Sequence, residues 1–385
     1  MKQISVVAVF FCLVCVLLLE EAIAIPAFAR KYDMSCTTCH APFPKLKSFG
    51  DEFAGNGFQL VGQEPARYYK ETGDDFLLLM REIPLALRIE GYLRYQPETA
   101  DRSDFQSPYL IKLLSGGQIA RDISYYFYFF FGERGEVSGL EDAFVVFNNL
   151  FQQDLDLYVG QFQVSDPLFK RELRLTLEDY QIYRTKIGSS SINLTYDRGM
   201  MLTYGLPTGT DIILEVLNGS GIGPADADRN FDIDKNKNGM MRVSQEISKN
   251  IRIGGFGYYG NEDKAANTNR TWMAGPDLTV TLDPVELNVQ YVARNDSKPM
   301  FVTDGEVATR GAFAELIYSP LGDKSTWYGG LLYNWVKSDV SAPNYHTATA
   351  HVSKLLARNL RLVGEYTYDM EREANRFTVG FVGAF

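Results

Sequence analysis

The sequence predicts an all-β fold, a transmembrane β-barrel of about 16 strands with a short α-helical segment in front of it. Three observations predict it. The 385 residues include 25 Phe, 23 Tyr and 33 Gly at only 45% hydrophobic content, as expected where alternate residues alone face lipid. From about residue 84 onward apolar and polar residues alternate, which is the period of a strand. Past residue 20 no run of 18 apolar residues occurs, so no helix is predicted to span a bilayer. The same figures exclude other classes. An aromatic content of 13% with 22% charged residues is incompatible with disorder. Four Cys cannot staple this length as a disulfide scaffold. A net charge of −10 repels phosphates, so no nucleic-acid partner is expected.

The first element is an export signal over residues 1–24. Lys2 precedes an apolar stretch from Ile4 to Leu19, and Ala22-Ile23-Ala24 supplies a small-x-small cleavage site. Cys12 and Cys15 leave with it, and nothing before them fits a lipid anchor. Cys36 and Cys39 remain.

The second element, residues 25–75, carries the sharpest motif: Cys36-Thr37-Thr38-Cys39-His40. Two thiols at this spacing reach the two vinyl groups of one porphyrin, and the following His becomes the proximal iron ligand. A thioredoxin-type dithiol needs a βαβ setting that is missing here. A zinc site needs two more nearby Cys or His. The motif therefore predicts one covalent haem c on Cys36 and Cys39, with His40 on the iron. Leu46, Phe49, Gly50 and Phe53 fall at i, i+3, i+4 and i+7, predicting a helix that Pro44 starts, Gly57 stops, and one face of which covers the haem. So short a segment cannot bury a haem alone. It is expected to dock in or at the barrel lumen.

The third element, residues 83–385, is the barrel. Leu287, Val289, Tyr291 and Ala293 alternate with Glu286, Asn288, Gln290 and Arg294, and the segments at 85–95 and 360–368 do likewise. Strands are expected near 84–95, 108–119, 123–132, 140–149, 155–163, 199–206, 210–218, 239–248, 250–259, 270–282, 285–294, 308–318, 326–337, 345–356, 359–369 and 374–385. Trp327 and Trp335 share one face eight residues apart, about 26 Å along a strand, which suits two aromatic girdles. A soluble sandwich would explain the alternation but not the outward aromatics. The last strand puts Phe377, Val379, Phe381 and Phe385 on one face, and its terminal aromatic resembles the assembly signal of bacterial outer-membrane proteins. An even strand count places both termini on the periplasmic side. Residues 164–197 do not alternate and are expected to fold into the lumen as a constriction. The acidity belongs to the barrel and its loops, where acidic rims attract cations.

Two weaker constellations follow. Asp232, Asp234, Asn236, Asn238 and Gly239 resemble half a calcium loop, but Gln245 occupies the closing acidic position, so a solvated loop is expected. Of the remaining histidines, His351 falls on the polar face of its strand and is the candidate distal haem ligand; His346 is the other.

Residues 25–30 (Ile-Pro-Ala-Phe-Ala-Arg), the Cys36–His40 motif, Pro44-x-Leu46-x-x-Phe49-Gly50-x-x-Phe53 and the barrel together resemble the fused monohaem cytochrome–porins of bacterial outer membranes. Asp179-Tyr180 and Tyr196-Asp197-Arg198-Gly199 are similar to phosphate-selective-type porins. Lys47 stands where many relatives carry Asn, and Tyr32-Asp33 replaces the commoner Thr-Gly. The resemblance implies an outer-membrane, porin-like iron(II) oxidase. It would pass electrons from extracellular iron(II), or another redox-active donor, to a periplasmic cytochrome. An outward conduit to an extracellular acceptor, or a solute porin with a cytochrome plug, are the alternatives.

Overall fold

A computed structural model describes residues 27–60, 69–70, 72–74, 77, 79–100, 102–137, 139–232, 234–264, 267–302 and 305–385. The predicted signal 1–24 and the predicted boundary at residue 75 lie outside them.

Sixteen strands form one closed antiparallel barrel. They are β1 (Leu85–Tyr95), β2 (Ser103–Ala120), β3 (Ile123–Glu133), β4 (Gly139–Phe147), β5 (Leu155–Gln163), β6 (Tyr196–Leu206), β7 (Thr210–Leu217) and β8 (Asn238–Ser248). There follow β9 (Ile251–Lys264), β10 (Asn267–Leu282), β11 (Val285–Asp296), β12 (Val307–Tyr318), β13 (Trp327–Ser338), β14 (Tyr345–Ala357), β15 (Leu360–Asp369) and β16 (Ala374–Ala384). Each pairs with the next, and β16 closes on β1 with Phe377 opposite Tyr95 and Ala384 opposite Arg88. All sixteen predicted strands exist. The largest differences are at β2, which begins five residues early, and β9, which runs on through Asn261, Glu262, Asp263 and Lys264. Those polar residues read as loop in sequence, yet Glu262 is buried against the bore.

The packing is inverted relative to a soluble protein. Glu90, Asn269, Gln290, Asn334 and Thr349 are buried on the inner face, while Leu331, Val379, Phe381 and Trp327 are exposed on the outer one. Polar-in and apolar-out is the arrangement for lipid outside. No helix among the described residues is long and apolar enough to cross a membrane. Turns at one end are tight, at 121–122, 249–250, 283–284 and 358–359. Both barrel termini lie there, Phe385 donating to Leu87 O at 2.9 Å. The longer connections sit at the opposite end.

The β5–β6 connection, residues 164–195, folds into the bore as expected and crosses it. Tyr183 donates to Gln290 at 3.0 Å and Tyr180 to Glu315 at 2.9 Å, while Leu177 N reaches Glu365 at 2.7 Å. A four-residue helix, Gln181–Arg184, sits within it. Its Leu168, Ile182, Tyr183, Ile192 and Leu194 pack on Met201, Met240, Phe256, Phe313 and Leu332. The bore is therefore not uniformly wet. The loop fills the β5–β13 side with an apolar core, and polar space remains beside β1–β4 and β14–β16.

Asp179 pins the loop, accepting from Arg171 Nε at 3.1 Å and Nη2 at 2.5 Å. Burial alone would raise this carboxyl, but Arg174, Arg171 and Arg184 hold it well below the usual carboxylate range. A depressed carboxyl stabilises above its unfolded pKa of 3.8 and loses that contribution only as pH falls through the lower folded value. Asp166 works in the opposite sense. Burial pushes it up to about 6, so it adds stability as pH falls through that value. Protease resistance of the loop is expected to hold or rise from neutral pH to about 4 and to fall only in stronger acid. Loss of resistance between about pH 7 and 5 would show that another group controls the loop.

Candidate functional site

The Cys-Thr-Thr-Cys-His segment lies at the tight-turn end of the bore. It comprises α1 (Ala27–Tyr32), the single turn α2 (Cys36–Cys39) and α3 (Ser48–Gly55). Ser35 caps α2, its Oγ accepting from Thr37 N at 3.4 Å, and His40 N closes the turn on Cys36 O at 2.9 Å. One helical turn brings residues i and i+3 to the same side. Cys36 and Cys39 are thus neighbouring thiols, both free and half-buried. Burial pushes both thiols up, opposite to the activated thiolate of a dithiol oxidoreductase.

His40 supplies the second fit to a haem. Its Nδ1 lies 2.7 Å from Pro44 O. A carbonyl only accepts, so Nδ1 carries the proton and Nε2 keeps its lone pair for a metal. Burial lowers its pKa, keeping the ring neutral. The thiol pair, the turn and the committed tautomer fit covalent haem with one axial histidine.

The predicted helix needs correction. Pro44 does not start it. Leu46 bridges back to His40, and α3 begins only at Ser48. The predicted stripe is consequently split. Gly50 turns toward α2, Phe53 packs with Phe28, Tyr32 and Phe58 at 5.5–5.8 Å, and Phe49 is exposed. A Cβ at Gly50 would lie 2.4 Å from Cys39 O and 2.9 Å from Leu46 Cδ2. Gly50→Ala is therefore expected to cost about 1–3 kcal/mol and to speed protease cleavage of the segment; unchanged cleavage would show slack between α3 and α2. Gly57 ends α3 as expected, at φ +64, where a Cβ would lie 1.9 Å from Ser124 Oγ on β3.

Docking contacts come from around the barrel. Arg361 Nη1 and the Tyr328 hydroxyl donate to Phe43 O, and Asn148 donates to Gly55 O at 3.1 Å. Phe58 stacks on Tyr126 at 5.3 Å. Ion pairs join Lys45 to Glu286, Lys47 to Asp323, and Asp51 to Lys170 at 3.0 Å. Arg361 and Tyr328 were not legible as docking residues, since nothing in sequence says which inward positions meet Phe43.

His351 faces the bore, as its strand position predicts, and is buried. Its Nε2 lies 2.8 Å from Ser353 Oγ and its Nδ1 3.4 Å from Glu365. Ser353 in turn approaches Arg361 at 3.5 Å, so Arg361 and Ser353 separate His351 from Phe43. His346 sits with the exposed Tyr333, at 2.8 Å from its hydroxyl. In the Asp232 loop, Lys237 pairs with Asp232, and Asp234 accepts from Asn236 N at 2.6 Å and Asp263 N at 2.9 Å. Those carboxylates serve the loop itself. Among the described residues no group of three or more His, Cys, Asp or Glu converges to hold a metal ion.

Beside Arg361 a cavity of about 50 Å³ lies between Arg88, Glu90, Lys112 and Glu172, and a second of about 520 Å³ lies at the far end. Arginines line both. Cationic and acidic side chains line them in nearly equal number, five against four in the first and four against three in the second.

No family model matches the chain, and no curated protein matches it. Solved structures do. The anion-selective porin from Comamonas acidovorans superposes with a TM-score of 0.58 at 10% identity, over 79% of this chain and 99% of that one. The outer-membrane channel DcaP of Acinetobacter baumannii gives 0.57 at 12%, over 79% and 97%. OmpF of Salmonella typhi, in complex with daunomycin, gives 0.55 at 12%, over 81% and 98%. The chain has the barrel fold of bacterial outer-membrane porins. At these identities the likeness concerns the fold alone, and it says nothing of the Cys-Thr-Thr-Cys-His segment.

Proposed function

We propose that the chain is an outer-membrane electron-transfer protein, taking electrons from extracellular iron(II) by way of one c-type haem to a soluble periplasmic cytochrome. The observation that carries this reading is His40, whose Nδ1 proton is committed to Pro44 O beside two unpaired thiols. When bound, haem supplies a one-electron centre, matching a one-electron donor without a second cofactor. The chain's residues do the rest. Cys36 and Cys39 would anchor the porphyrin and His40 would ligate its iron. Phe43, Phe49 and Phe53 would shed water from its surroundings. His351 is the candidate on the distal side, its Nε2 beside Ser353 Oγ and its Nδ1 near Glu365. The exposed apolar belt suits outer-membrane lipid. With the tight turns inward, both termini and the segment would face the periplasm, within reach of a soluble carrier.

A second reading, a solute porin with a built-in plug, is supported by the porin-type barrel and the cavity at its far end. The deciding experiment is purification from outer membranes, haem staining, and stopped-flow mixing with iron(II). A stained band whose haem is reduced by iron(II) is expected; a stained band that stays oxidised would overturn the first reading. Planar-bilayer conductance tests the second, which requires open channels in the intact protein. An unaltered haem spectrum in His351→Ala would remove His351 as a ligand.

A further inference from the structure

We infer that the 520 Å³ cavity at the long-loop end is a binding site for small organic anions carrying two or more carboxylates. Four guanidinium groups line it, those of Arg94, Arg134, Arg184 and Arg376. The acids beside them are already engaged. Asp179 is held by Arg171 at 2.5 Å and approached by Arg174 at 3.8 Å, so Arg184 at 3.6 Å has only a share of it. Glu178 is taken by Arg376 and Tyr345. Asp104 is exposed and accepts from Gln106 at 2.7 Å. Arg94 makes no hydrogen bond or ion pair among the described residues, and its Nε is buried without a partner.

A buried guanidinium donor without an acceptor is costly unless a ligand supplies one. Guanidinium forks match carboxylates bidentately. Four guanidiniums face three carboxylates in the lining, Arg134 being paired with Glu133 at 3.5 Å and Arg376 with Glu178, so the one unbalanced positive charge is left to Arg94, and low-dielectric walls focus its field on an entering anion. The cavity is several times the size of one phosphate. Its guanidiniums come from β1, the β3–β4 turn, the loop and β16, so they surround a ligand rather than grip one end. Tyr109 and Tyr345 on its wall offer hydroxyls and apolar ring faces. These features select an extended polycarboxylate over a compact anion. The inference stands on the cavity alone and is independent of the haem.

The test titrates citrate into the full-length protein, extracted in detergent, by isothermal titration calorimetry at low ionic strength. Phosphate and acetate are titrated separately. Citrate is expected to bind the wild type more tightly than either. Arg94→Gln is expected to weaken it about tenfold, the loss of one charge-assisted bond. Arg372→Gln, on the exposed turn outside the cavity, is expected to bind as the wild type does. Arg94 has no partner to lose, and heat-modifiable migration verifies that its variant folds. Three results would each overturn the inference: no citrate binding, equal affinity in Arg94→Gln, or phosphate binding as tightly as citrate. Calorimetry involves no electron transfer, so its outcome is separate from iron(II) oxidation.

Discussion

Alanine at both Cys36 and Cys39 is expected to leave a folded barrel that carries no covalently bound haem. The effect is all-or-none, because the two thioethers are the only covalent links the motif offers. The barrel should survive. Sixteen strands close on one another without the segment, and docking runs through Phe43 O, Gly55 O, Phe58 and the Lys45, Lys47 and Asp51 ion pairs. Peroxidase staining after denaturing electrophoresis reads the haem, and heat-modifiable migration reads the barrel. A stained band in the double variant would refute attachment at these thiols. His40→Ala separates attachment from ligation. Its stain should persist while its visible spectrum changes, since the ligand is lost and the thioethers are not.

Asp179→Ala is expected to release the bore-filling loop and raise single-channel conductance several-fold. Arg171 would be left buried, its side chain 8% exposed, without its bidentate acceptor. Removing one partner of a buried pair costs about 3–5 kcal/mol. Arg174 and Arg184 would then repel it, and Tyr180 N would lose the Asp179 Oδ1 acceptor at 2.7 Å. The apolar contacts of Tyr183, Ile182 and Leu194 oppose release, so opening is expected as frequent transitions rather than a permanently wide pore. Planar-bilayer recording checks it. Conductance equal to that of the wild type would show that the apolar core, not the arginine cluster, holds the loop.

Much of this molecule is legible in one dimension. The strands were readable because lipid on one side and a polar bore on the other impose period two, as in β11 from Val285 to Asp296. Their ends were less so, because polar residues such as Glu262 belong equally to a bore wall and to a loop. The Cys36–His40 turn was readable because its spacing is dictated by covalent chemistry. The start of α3 was not. Pro44 and Leu46 fit a helical stripe, but the bridge between His40 and Leu46 takes that stretch out of the helix.

The sequence by itself determined the barrel, the strand count, the inward-folding connection and the thiol–imidazole motif, since each follows from local period or local spacing. Only the tertiary structure decided that the segment seats on Tyr328, Arg361 and Tyr126, that one side of the bore is packed with apolar side chains, and that arginines from four elements surround one cavity. The reason is barrel closure. It brings together residues such as Arg94 and Arg376, which are far apart in the chain and which no periodicity relates. It also sets arginines and carboxylates side by side in the bore, a local balance that the net charge of −10 does not describe.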